Sequence, residues 1–145
     1  MKDVKYLLRS AYFTLLNGNL TTNLGAPNTP VPVSDTLDEI SPPDNCYVLL
    51  VSEDGKSENT HQSFMMEEKI CVRIVARGSR ISTKVLDDLA NQILAIILPI
   101  PQNNAFNNPQ IINCRIVDDR YMRFTTEGGL NVAQRFITFS QTIAQ

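Results

Sequence analysis

The side chains able to act as nucleophiles, bases or metal ligands are few in this sequence and scattered along it. The single histidine, His61, lies between Thr60 and Gln62 in a polar stretch, with no cysteine or second histidine nearby. Nucleophilic catalysis needs a base beside its nucleophile, and a metal site needs ligands at fixed spacing. A lone loop histidine therefore reads as a solvated side chain. Cys46, Cys71 and Cys114 are odd in number and far apart, and none forms a C-x-x-C pair. Each sits in an apolar or alternating stretch, where a free thiol behaves as a small hydrophobe, so buried thiols in a reducing compartment are expected. Asp87-Asp88 and Asp118-Asp119 are adjacent carboxylates, which point to different sides of a helix or strand and so make poor acid–base pairs. Gly128-Gly129 lacks the strand, glycine loop and helix that would cradle a phosphate, and reads as a turn. The expectation is a protein with no catalytic residue, no metal site and no cofactor.

The frame that holds these residues has ordinary globular proportions. A chain of 145 residues suits one domain, here 1–145, which buries roughly two-thirds of the unfolded surface and needs no disulfide or metal. It is 43% hydrophobic and 19% charged, and its 13 basic residues are spread along the chain against 15 acidic ones, so no nucleic-acid reader is signalled. The first nine residues contain no long apolar run of the signal-peptide kind. The most apolar stretch, 93–100, is far shorter than the roughly 20 residues of a membrane span. No membrane association is expected, and the chain is expected to stay in the cytoplasm that makes it.

Val4, Leu7, Leu8, Ala11, Tyr12, Leu15 and Leu16 recur at helical steps, which predicts an amphipathic helix over 4–16 with Asp3 as its cap and Gly18 past its end. Prolines and glycines then crowd 17–44, leaving room for one short edge strand near Val31–Val33. Cys46–Val51 is a β-branched and aromatic run. Ile70, Val72 and Ile74 alternate with Lys69, Cys71 and Arg73 in a second strand over 64–76. Between the two strands lies a polar tip from about Glu53 to Gln62. Ser82 or Thr83 caps a second helix, 83–98, whose face is Val85, Leu86, Leu89, Ile93, Ile96 and Ile97 and which stops at Pro99. After an Asn-rich loop over 102–109, strands over 111–124 and 130–143 close the chain about a turn at 127–129. In the first of these, Ile112, Cys114 and Ile116 alternate with Asn113, Arg115 and Val117. The predicted class is α+β: an antiparallel sheet from hairpins 46–76 and 111–143, with helices 4–16 and 83–98 packed on it.

This order, with the strand Lys69-Ile70-Cys71-Val72-Arg73-Ile74-Val75-Ala76-Arg77 and the helix segment Ser82-Thr83-Lys84-Val85-Leu86-Asp87-Asp88-Leu89-Ala90-Asn91-Gln92-Ile93, resembles the phage tail-completion and tail-terminator proteins. The resemblance spans about Val4 to Ile143 and rests on residue type rather than on an invariant chemical signature. It implies a tail-terminator-like fold and a structural virion protein, assembled in the host cytoplasm as a homo-oligomeric ring, hexamer or dodecamer, at the head–tail junction. The implied partners are portal or connector proteins and tail or neck proteins, with DNA passing through the lumen without specific binding. The tip residues Glu53, Asp54, Lys56, Glu58 and His61 form the candidate contact, facing the lumen or a partner, where net acidity repels passing DNA. A ring needs two unlike flanks, and an edge of the first or last strand is expected to supply one. The alternatives are a baseplate or secretion-system adaptor with the same fold, or a small ligand-binding or enzymatic α+β domain, which would show a concave pocket with convergent polar groups.

Overall fold

The computed structural model describes residues 4–24, 27–34, 46–53, 57–60, 63–78, 83–99, 106 and 110–144. Helix α1 (Val4–Leu16) forms over the predicted span. Leu8, Tyr12 and Leu16, four residues apart, are fully buried, and Leu7, Ala11 and Leu15 pack beside them. The helix ends at Gly18, whose φ of 78° is a left-handed value open to glycine. Asn19 Nδ2 donates to the carbonyl of Leu15 at 2.8 Å, satisfying one of the last helical acceptors. The expected cap residues Asp3 and Ser82 lie outside the described residues.

A two-stranded ribbon follows, β1 (Thr21–Thr22) against β2 (Thr29–Pro30). Gln92 holds it by exchanging two hydrogen bonds with the backbone of Thr21, at 2.9 and 3.1 Å. The remaining elements are β3 (Val33–Ser34), β4 (Cys46–Glu53), β5 (Ser57–Thr60), β6 (Ser63–Gly78), α2 (Thr83–Ile97), β7 (Ile111–Thr125) and β8 (Asn131–Ala144). Five of the strands form a sheet in the order β3-β4-β6-β8-β7, and β5 pairs with the start of β6 beyond the end of β4. Both predicted hairpins are present and the class is α+β. β3 runs parallel to β4, so the sheet is mixed at that edge rather than wholly antiparallel. Of the expected edge strand near Val31–Val33 only Val33 lies in a strand, β3, which sits on the sheet. Within the expected polar tip, β5 continues the ladder on β6 with Ser57 opposite Met66, and residues 54–56 and 61–62 lie outside the described residues.

Both helices lie on one face of the sheet, against β4, β6 and β8. Directly opposed residues of an antiparallel pair share a face, so the register assigns the core. Leu50, Val72 and Ile137 form one row, and Ile70 with Phe139 the next. These meet Leu86, Leu89, Ala90, Ile93 and Ile97 of α2, all fully buried. The other face is not bare, as simple alternation along β4 and β6 would require. Tyr47, Leu49, Val75 and Val132 form a second buried cluster there. Arginine side chains lie across this face: the Arg77 guanidinium sits 5.1 Å above the Tyr47 ring and that of Arg73 sits 4.7 Å above Phe136.

Candidate functional site

The candidate tip residues are divided by the structure. Glu53 is the last residue of β4, opposite Lys69, and Glu58 lies in β5, opposite Met65. Asp54, Lys56 and His61 lie outside the described residues. Among the described residues β4 and β5 line one edge of the sheet, where β3 covers Val48 and Leu49 of β4. The first strand keeps an open edge among those residues. The last strand does not: β8 is enclosed between β6 and β7, which excludes it as a joining strand.

The opposite edge is β7, and here the expected half-buried alternation fails. Beyond Ile111 and a few half-buried neighbours the strand is exposed on both faces. Tyr121 and Met122 are 51% exposed, Phe124 46%, Ile116 41% and Val117 40%. Two register shifts, between Ile112 and Arg115 and between Ile116 and Asp118, interrupt its pairing with β8. Asn113 takes up the first with a φ of 55°, a conformation asparagine tolerates. Among the described residues no strand pairs with the outer side of β7.

The two carboxylate pairs are taken apart and recombined. Asp88 accepts a hydrogen bond from Gln92, and Asp118 pairs with Arg120 at 2.9 Å. Asp87 of α2 and Asp119 of β7 converge on Arg135 of β8. Arg135 holds Asp119 through two bonds, Nε to Oδ1 at 2.9 Å and Nη2 to Oδ2 at 2.7 Å, and Nη1 donates to Asp87 Oδ1 at 3.0 Å. Tyr121 donates its hydroxyl to the same Asp87 oxygen at 2.6 Å, under the Arg135 guanidinium 5.0 Å from its ring. The bonds to Asp119 raise the Arg135 pKa and the bond to Asp87 raises that of Tyr121, so both donors keep their protons near neutrality. This is a clamp fastening the start of α2 to the exposed strand, and it offers no group poised to exchange a proton. The packing of α2 beside the paired strands β7 and β8 brings these residues together, so no local sequence signal marks them.

A second polar cluster is internal. Tyr12 donates to Gln141 Oε1 at 2.7 Å, Gln141 Nε2 donates to the carbonyl of Glu68 at 2.6 Å, and Cys114 Sγ lies 3.5 Å from the Tyr12 hydroxyl. Burial pushes the Tyr12 hydroxyl well above its ordinary range, raises the Cys114 thiol, and pushes Cys46 up to about 12. A thiol so shifted is a poor nucleophile at neutral pH. Cys46 and Cys71 are buried as expected, whereas Cys114, on β7, is only partly so. Gly128-Gly129 is a turn, with Gly129 at φ 79° and its N–H donating to the carbonyl of Thr126 at 3.0 Å. No group of three or more potential metal ligands occurs among the described residues. A groove of about 370 Å³ beside this turn is lined by Arg123, Phe124, Thr125, Asn131, Val132 and Ala133, with no carboxylate, histidine or cysteine in it.

The geometry thus directs attention to sheet edges rather than to a cleft. No family model matches the sequence, and no curated protein matches it. A chain in the solved structure of the virion of a native gene transfer agent particle superposes with a TM-score of 0.73, over 99% of this chain and 100% of that one, at 11% identity. At that identity the likeness is one of fold.

Proposed function

We propose that this chain is a structural, non-enzymatic subunit of a phage-type virion, acting as one copy of a ring at the head–tail junction. The observation that carries the reading is the whole-length superposition on a chain of a virion particle, from end to end of both molecules. The described site chemistry agrees with a structural role. Its arginine and tyrosine are held protonated, the Cys46 and Cys114 thiols are raised, and several exposed apolar residues line the β7 edge of the sheet. On this reading residues 1–145 form one ring-subunit domain, whose neighbours are portal or connector proteins on one side and tail or neck proteins on the other. The tip with Glu53, Asp54, Lys56, Glu58 and His61 is its partner-contact arm, and DNA passes the ring without being gripped.

Deleting the coding sequence from the particle-producing genome tests this. The expected result is DNA-filled heads and separate tails, with joining restored when the chain is supplied in trans. Intact particles from the deletion, or particles in which mass spectrometry finds no trace of the chain, would overturn it.

A further inference from the structure

We infer that copies of this chain join edge to edge, the Ile111–Asp119 half of β7 receiving the Leu50–Glu53 stretch of β4 from the next copy. The inference rests on the ring reading and adds the joint to it. Among the described residues the sheet has two unlike edges, β7 on one side and, on the other, β3 with the stretches of β4 and β5 that it leaves uncovered, as a head-to-tail contact that closes a cycle requires. A rotation about an axis along the strands preserves strand direction. β7 runs antiparallel to β8, which runs antiparallel to β6, which runs antiparallel to β4, so the next copy's β4 arrives antiparallel to β7. The added ladder is of the same kind as those already in the sheet.

Rotation without axial shift also fixes what meets what. Residues that share a row across one sheet lie at the same height, and they face each other across the joint. Glu53, Lys69, Ser140 and Arg115 make one such row, so Glu53 of the next copy arrives beside Arg115. The Arg115 side chain is 71% exposed and only 3.9 Å from its single described ion-pair partner, Glu67. Two rows further on, Val51, Cys71, Thr138 and Asp118 are level. Val51, at one edge, is 44% exposed, and the exposed Ile116 and Val117 stand beside that height at the other. Across the joint the row of Glu53 and Arg115 brings charge to opposite charge, while Val51 comes level with Asp118 and Ser52 with Ile116. Within the joint itself Arg115 is the one basic residue of Ile111–Asp119, and Glu53 is the one charged residue of Leu50–Glu53.

The test places cysteines at positions 53 and 115 of the full chain, as Glu53→Cys and Arg115→Cys. Within one copy three strand spacings separate them, about 14 Å, twice the roughly 7 Å that a disulfide spans between Cα atoms. Mild oxidation at high protein concentration is expected to give a reducible ladder of covalent oligomers ending in one closed species, with the native chain giving none. In a parallel measurement by sedimentation, Arg115→Glu or Glu53→Arg alone weakens association about tenfold, and the two together restore most of it. A ladder or a charge-swap rescue supports the joint. If particle images show rings while the paired cysteines stay uncrosslinked and the swaps change nothing, the joint lies elsewhere and the ring reading stands. If neither rings nor a ladder appear, both fall.

Discussion

At the scale of single residues the molecule spends its polar chemistry on fastening. Arg135 is the clearest case, its side chain only 14% exposed and shared between Asp119 and Asp87. Arg135→Met keeps most of the aliphatic stem and leaves two carboxylates without their cation. Because both carboxylates are partly solvated, the expected loss is about 1–2 kcal/mol, read as a lower urea midpoint at unchanged m-value. Asp119→Asn, which retains the Asp87 bond, is expected to cost less. The thiol of Cys46 supplies a pH dependence with a definite sign. Its folded value, about 12, stands above the ordinary 9.0, so folding favours the protonated form. The contribution is complete below pH 9 and is lost as pH rises from 9 towards 12, because the unfolded thiol ionises first. Tyr12, raised in the same direction, extends the loss at the alkaline end. Cys46→Val is expected to flatten the alkaline limb of a denaturation series between those limits, and an unchanged limb would assign the effect elsewhere.

At the scale of elements the sequence is legible where one periodicity meets one environment. α1 is read to the residue because its apolar positions step by three and four and Gly18 marks the stop. α2 is one residue shorter than expected, ending at Ile97, with Pro99 close behind. Gly18→Ala has open space for its Cβ, nothing lying within 4 Å, so its cost comes from the left-handed backbone alone. About 1 kcal/mol is expected, seen as a lower Tm. Leu89→Ala, by contrast, empties a fully buried site between α2 and the sheet and is expected to cost about 2–5 kcal/mol in chemical denaturation. β7 was the illegible element. Its alternating pattern states that it is a strand but is silent about its neighbours, and its two bulges displace the pattern midway. The convergence of Asp87 with Asp119 was hidden for the same reason, since it depends on a helix and two strands whose order in space no local period encodes.

At the scale of the whole molecule the asymmetry between the two ends of the sheet order decides behaviour. Among the described residues the central strands β6 and β8 are paired along both sides for most of their length, whereas β7 is supported along one. An open edge of this length, with several apolar side chains exposed, is the kind of surface natural proteins blunt with charges and bulges when no partner is meant to reach it. β7 carries both devices, Arg115, Asp118, Asp119, Arg120 and Arg123 among its residues and two register shifts, yet Ile116, Val117, Tyr121, Met122 and Phe124 remain in the open. That combination suits an edge kept from indiscriminate pairing and reserved for a shaped neighbour. Hydrogen exchange distinguishes this from a merely tolerated edge. In dilute chain the amides of β8 are expected to exchange slowly along its length, and roughly every second amide of β7, those directed away from β8, quickly. In the assembled form the Ile111–Asp119 half of β7 gains protection together with Leu50–Glu53 of β4, because the two become one ladder. Protection gained by one of these segments without the other would show that something other than a second copy of the chain covers the edge.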